Sequence, residues 1–94
     1  MTERIFVEAS NLINGERREA YGDATSEYDQ VAQMWTGLLL PKLRQPITAK
    51  ETLLMMTVLK LRREAHQHKP DNLVDAAGYL ALADRCVPRK GVEL

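Results

Sequence analysis

The sequence predicts an all-α fold, a compact arrangement of four helices in a single domain spanning residues 1–94. Apolar residues recur at three- and four-residue spacing in four separate segments, which is the period of amphipathic helices. No segment alternates apolar and polar residues as a half-buried strand does, and proline and glycine fall between the periodic segments. Short connections make neighbouring helices antiparallel.

The N-terminal half holds two of these helices. The first is predicted from about Thr2, a reasonable N-cap, to Asn14. Asn14 and Gly15 both tolerate the left-handed backbone conformation that often ends a helix. A short helix can follow over residues 16–21 before a turn at Gly22. The second long helix is predicted from about Ser26 to Leu39, before a connection bracketed by two prolines.

The third helix begins at a capping box. Thr48 can accept from the backbone N–H of Glu51, whose carboxylate can reach back to Thr48, and the helix runs to about Ala65. Its apolar residues cover most of its circumference, so we expect it to be the most buried helix. The fourth runs from about Asp71 to Arg85 after Pro70, and a loose tail follows from about residue 87.

Composition limits the function. Thirteen basic and thirteen acidic residues cancel, so general nucleic-acid binding is not expected, although a local cluster can still bind a small anion. The longest apolar stretch is too short to span a bilayer, and the N-terminus does not have the pattern of a signal peptide. The single cysteine suits a reducing cytosol. A chain this short buries a modest core, which favours a homo-oligomer.

The fourth helix carries the most function-like residues. Asp71 and Asp75 share one helix face, where two carboxylates can hold Mg²⁺. The commoner role of such a pair is structural, with Asp71 favouring the helix dipole and Asp75 pairing with a base. Gly78 indicates close approach of another backbone or a ligand, more often a helix. Tyr79 can bond a ligand or rim the core.

Two basic groups are candidate ligand contacts. Lys60 interrupts an apolar run in the third helix and needs a charged partner if it is buried. We expect that partner to be Asp75. Arg63 lies on the same helix face as Lys60. Arg17 and Arg18 precede Tyr21 and a glycine turn, and arginine forks match phosphate oxygens. Each of these residues also has an ordinary role on a solvated helix surface.

The whole pattern resembles a family of small phage and prophage proteins of unassigned function, over about residues 8–83. The resemblance rests on the block at residues 14–23, the Trp35-bearing helix, Met55-Met56 leading to Lys60, and above all Asp71-Asn-Leu-Val-Asp-Ala-Ala-Gly-Tyr79. It implies a phage origin and leaves the activity open.

A looser resemblance is to the all-α MazG-like nucleoside triphosphate pyrophosphohydrolases. Those carry E-x-x-E on one helix and E-x-x-D on a later one, which together bind Mg²⁺. Asn72-Leu-Val-Asp75 looks like the second motif with asparagine in place of glutamate. The first motif is missing, since Glu51 and Glu64 are the only acids on the third helix and form no E-x-x-E. A two-metal mechanism needs several converging carboxylates, so catalysis does not follow.

Three functions are therefore expected. The first is a non-catalytic phage protein that binds a nucleotide, working as a homo-oligomeric sponge for the (cyclic) nucleotide signals of bacterial immunity in the host cytoplasm. It needs no cofactor, and its site residues would be Arg17, Arg18, Tyr21, Lys60, Arg63, Asp75 and Tyr79. The second is a Mg²⁺-dependent pyrophosphohydrolase with Asp71 and Asp75 as metal ligands. The third is a helical interaction module without a small ligand.

Overall fold

The computed structural model describes residues 2–86, without the side chains of Tyr21 and Thr25. This part is all-α, as predicted, and holds no strand. Its helices are α1 (Arg4–Asn14), α2 (Glu16–Tyr21), α3 (Ala24–Leu39), α4 (Ala49–His66) and α5 (Pro70–Arg85), with a 3₁₀ turn at Leu40–Lys42. The four long helices match the four predicted segments. The tail predicted from residue 87 lies outside the described residues.

The turn between α2 and α3 is set by local signals. Gly22 has φ +80°, in the region that favours glycine, and ends α2 as predicted. Asp23 then accepts from the backbone N–H of Ser26 at 3.2 Å and caps α3. The predicted cap at Thr2 is wrong, because α1 begins at Arg4 and its N-cap, Glu3, makes no side-chain cap.

The capping box of α4 is confirmed. Thr48 Oγ1 accepts from the Glu51 backbone N–H at 3.1 Å, and Glu51 Oε1 accepts from the Thr48 backbone N–H at 3.0 Å. The connection before it is tied to α3, since the Ile47 backbone N–H donates to Thr36 Oγ1 at 2.8 Å. These bonds satisfy N–H groups that the start of a helix would otherwise leave unpaired.

The central helix is α5, and the expectation that α4 is the most buried is wrong. Eight of the 16 residues of α5 are buried, against only Thr52, Leu53 and Thr57 in α4. The reason is position: α5 lies between α1 and α4, whereas α4 packs on α3 and α5 and leaves its other side open. The core gathers around Leu53 and Tyr79.

Candidate functional site

A cleft opens beside α5, between it and the segment that runs from the end of α1 to the start of α3. The space between its lining atoms is about 450 Å³ including the open mouth, and its interior is narrow. Side chains from α1, α2, α3 and α5 line it: Leu12, Ile13, Arg17, Arg18, Glu27, Tyr28, Asp75, Tyr79 and Leu82. We call this the arginine–tyrosine cleft.

Four of the seven predicted ligand residues line this cleft. Arg17 and Arg18 come from α2, and Asp75 and Tyr79 come from α5. Nothing in the local sequence joins these two pairs, because they lie more than fifty positions apart and meet only when α1 packs on α5. The side chain of Tyr21, the fifth candidate, lies outside the part of the chain that the structure describes.

The remaining two candidates, Lys60 and Arg63, lie along a different groove, between the end of α4 and the start of α5. This groove also carries Arg62, His66 and Lys69, and its space is about 710 Å³ including its mouth. The six predicted residues whose side chains are described therefore do not line one cleft. Lys60 is nevertheless connected to the arginine–tyrosine cleft through its contact with Asp75.

Lys60 and Asp75 form the ion pair that the sequence predicted. The Lys60 Nζ lies 2.9 Å from Asp75 Oδ2, and the two side chains are 13% and 9% exposed. A charge this deeply buried is costly without a partner, and each group here compensates the other. Asp75 thus reaches the cleft as a carboxylate already engaged by a lysine.

Tyr28 and Tyr79 form the aromatic wall of the cleft. Their ring centroids are 6.1 Å apart and their planes meet at 84°, an edge-to-face contact. Burial and the neighbouring Tyr79 raise the pKa of the Tyr28 phenol well above its ordinary value, and the Arg17 guanidinium opposes this shift. Tyr28 was not among the predicted site residues, because its spacing with Val31 marks only an apolar helix face.

Gly78 serves helix packing, the commoner of its two predicted roles. A Cβ at this position would lie 3.2 Å from Ile13 Cγ2 and 4.0 Å from Ala9 Cβ, so α1 approaches α5 closely here. This close approach sets the position of α2, which directly follows α1 and supplies both arginines. Gly78 therefore shapes the cleft through the packing of the helices.

A second cleft, on the other side of Asp75, is lined by acids. Glu8, Glu16, Asp71 and Asp75 border a space of about 850 Å³ including its mouth. The structure thus brings the predicted metal pair, Asp71 and Asp75, to one surface. Within residues 2–86, however, no three acidic, histidine or cysteine side chains lie close enough together to hold a metal ion.

The prediction that the chain lacks the E-x-x-E spacing is wrong, because Glu16-Arg-Arg-Glu19 in α2 has it. These two glutamates lie on α2 and not on the third helix, where the motif was expected. Glu16 lines the acidic cleft beside Asp71 and Asp75. The spacing alone was the signal that could have identified this residue.

Asn72, which stands where the pyrophosphohydrolase motif has glutamate, is buried and points to α4. Its Nδ2 donates to Glu64 Oε1 at 3.2 Å and to the Gln67 carbonyl at 3.4 Å. Glu64 also accepts from the Lys69 backbone N–H at 3.2 Å and bonds His68. The hydrogen bond to His68 lowers the pKa of the Glu64 carboxyl, and the bonds from Asn72 and Lys69 lower it further, against partial burial. These bonds fix the α4–α5 connection.

Two comparisons with known proteins identify relatives. A family model described as "Domain of unknown function (DUF6378)" matches residues 4–87. The Gene 55 protein of Mycobacterium phage L5 is 32% identical over 83 residues, which cover 86% of this chain and 51% of that protein. The Gene 55 protein of Mycobacterium phage D29 is 27% identical over 85 residues, covering 90% of this chain and 54% of that protein.

The chain therefore spans about half the length of the curated relatives it matches. No solved structure matches it. Among the helices described here, none has the length and apolar character needed to cross a membrane.

Proposed function

We propose that this chain, which belongs to the DUF6378 family of unknown function, binds a small phosphorylated ligand of the nucleotide class and holds it without hydrolysing it. The observation that carries the proposal is the arginine–tyrosine cleft, which joins two guanidinium groups to two tyrosine rings. A nucleotide needs both kinds of group, since its phosphates are anionic and its base is a flat ring.

The phosphates would lie at the α2 side of the cleft. Arg17 and Arg18 are adjacent in the sequence and both line it. A guanidinium presents paired N–H donors that match two phosphate oxygens, and it stays charged at any physiological pH. Glu27 also lines the cleft and would repel a phosphate, so the phosphate position is expected on the arginine side.

The base or ribose would contact the α3–α5 side. Tyr28 and Tyr79 would contribute their rings and hydroxyls, while Asp75 can accept from a ring N–H or a ribose hydroxyl through Oδ1, the oxygen that it does not share with Lys60. The narrow interior admits little more than water as it stands. Binding would therefore require the half-buried Tyr28 side chain to move outward.

Two contacts favour a binder over an enzyme. Asp75 is paired with Lys60, and Asn72 is bonded to Glu64 rather than facing the acidic cleft. Both positions of the motif that resembles E-x-x-D are thus used in joining α4 to α5. A phage protein of this kind would act by sequestering a nucleotide signal, such as a cyclic nucleotide of the host's immunity, in the host cytoplasm.

The test is a binding titration of the purified chain with mononucleotides, cyclic nucleotides and triphosphates, with and without Mg²⁺, followed by chromatography of the recovered ligand. A ligand at a hundred times its Kd stabilises the fold by about 2.7 kcal/mol, which thermal unfolding detects. Recovery of the intact compound supports the proposal. Turnover of the bound compound contradicts it.

Matched variants locate the site. Arg18→Ala removes one charge-assisted contact and should weaken the Kd by about 10- to 100-fold, since such bonds are worth roughly 1.5–3 kcal/mol. Arg44→Ala removes an exposed arginine from the connection before α4 and should leave the Kd unchanged. Equal effects of the two substitutions would show that binding is only a general response to charge.

The second candidate is a Mg²⁺-dependent, MazG-like pyrophosphohydrolase, favoured by the lining of one cleft by Glu16, Asp71 and Asp75, whose carboxylates would have to move closer together to hold a metal ion. Asp71 is the better residue to test because it is exposed, whereas changing Asp75 also breaks the ion pair with Lys60. Mg²⁺-dependent turnover that Asp71→Asn abolishes, with the fold intact, would establish this function. If no nucleotide stabilises the chain against thermal unfolding and none is hydrolysed, the third function, an interaction module, is favoured.

A further inference from the structure

The outward side of α4 carries an apolar stripe that nothing in the described chain covers. Leu54, Val58, Leu61 and Ala65 follow one another at spacings of four, three and four residues, which is the heptad pattern of a helix that packs against another helix. Leu54 is 40% exposed, Val58 64% and Leu61 49%. These residues lie away from the buried face of α4, and none of them belongs to the buried core.

The stripe continues into a groove at the N-terminal end of α4. The groove lies between α4, the end of α3 and the connection that joins them, and it holds about 980 Å³ including its mouth. Leu39, Leu43, Ile47, Leu54 and Met55 line it. Stripe and groove together offer on the order of 600 Å² of apolar surface, the lower end of what one partner contributes to a stable interface.

Charges along one edge of the stripe show how a partner helix would run. Glu51 lies near the N-terminal end of α4 and Arg62 near its C-terminal end, both exposed and eleven positions apart on the same edge. Glu51 uses Oε1 for the capping box, and its other oxygen is left for a partner. A parallel copy would bring Arg62 against Arg62, whereas an antiparallel copy brings Glu51 towards Arg62.

We propose that the occupant of this face is a second copy of the same chain, with the two α4 helices antiparallel about a two-fold axis near Val58. Such an interface is self-complementary, as two-fold symmetry requires. The two Val58 side chains contact each other at the axis. Each Leu61 packs on Leu54 of the other copy, at the rim of that copy's groove. The arginine–tyrosine cleft is not part of this face, so the proposal stands independently of the ligand.

The mass of the chain in solution tests this arrangement. The wild-type chain should have the mass of a dimer in sedimentation or light-scattering measurements over a hundredfold range of concentration. Val58→Glu places two carboxylates together at the axis and should give a monomer with unchanged helix content. Leu80→Glu is the matched control, because Leu80 is 50% exposed on α5, away from α4's outer face, and its variant should remain a dimer.

Cross-linking gives a second readout that does not depend on a disruptive variant. In a Cys86→Ser background, Val58→Cys should form a disulfide-linked dimer under mild oxidation, because a disulfide needs Cα atoms within about 7 Å. Leu80→Cys should not cross-link. A monomeric wild-type chain, a dimer that survives Val58→Glu, or equal cross-linking at both positions would overturn the proposal.

Discussion

Lys60 and Asp75 join α4 to α5 by a contact of 2.9 Å between Nζ and Oδ2, with both side chains almost fully buried. This is the one long-range contact that the sequence predicted by residue. It follows from a physical requirement, since a lysine inside an apolar run must find a partner or lose its charge. It also engages the carboxylate that the sequence suggested as one of two metal ligands on α5.

Breaking this pair should destabilise the fold strongly. Lys60→Met leaves the Asp75 carboxylate buried without a partner and should lower the free energy of unfolding by about 3 kcal/mol, measured by urea denaturation. The double variant Lys60→Met with Asp75→Leu removes both charges and should recover most of that loss. A single variant as stable as the wild type would mean that the ion pair contributes nothing to the fold.

Local signals predicted the helix boundaries well. The capping box at Thr48, the proline that opens α5 and the glycine that ends α2 each depend on a few neighbouring residues, so the sequence contains all the information they need. The predicted Thr2 cap was wrong because a capping residue alone, without a partner three positions on, does not fix where a helix begins.

The burial of the helices and the arginine–tyrosine cleft could not be predicted in the same way. Apolar residues over most of the circumference of α4 suggested a central helix, but periodicity cannot distinguish a core contact from an exposed apolar face, and Val58 proves to be exposed. The sequence predicted Arg17 and Tyr79 separately as site residues. They line one cleft only because α1 packs on α5. That packing is a long-range property.

The close approach of α1 and α5 can be tested with two glycines. Gly78→Ala gains about 1 kcal/mol of helix propensity but places a Cβ 3.2 Å from Ile13 Cγ2, a branched group with little freedom, and overpacking costs about 1–3 kcal/mol. We expect the free energy of unfolding, measured by thermal denaturation, to fall by about 1 kcal/mol. Gly37→Ala in α3 meets no atom within 4 Å and should instead stabilise the fold by up to about 1 kcal/mol. Stabilisation by both would contradict the tight contact.

Glu64 should shape the acid limb of the stability curve. Hydrogen bonds from His68, and then Asn72 and Lys69, hold the pKa of its carboxyl below the ordinary value of 4.5. The folded state therefore binds its proton less readily than the unfolded state, so its stabilisation is present above pH 4.5 and is lost as the pH falls below it. Glu64→Gln should flatten this part of the curve, measured by denaturation between about pH 3 and 6, whereas Glu19→Gln, on an exposed residue, should leave its slope unchanged.

Tyr28 provides the corresponding test at alkaline pH and reports directly on the cleft. Burial, and then the neighbouring Tyr79, raise the pKa of its phenol above the ordinary value of 10. The folded state keeps a proton that the unfolded state releases, so stability should fall as the pH rises above 10. Absorbance at the phenolate band should show a tyrosine component that ionises only at higher pH or on unfolding. Tyr28→Phe should remove that component and reduce the alkaline loss of stability.

The same titration reports on the ligand. If a bound nucleotide displaces Tyr28 towards solvent, the component that ionises at higher pH should shift to lower pH when the ligand is present. A titration in which Tyr28→Phe removes an ordinary component would contradict the closed cleft.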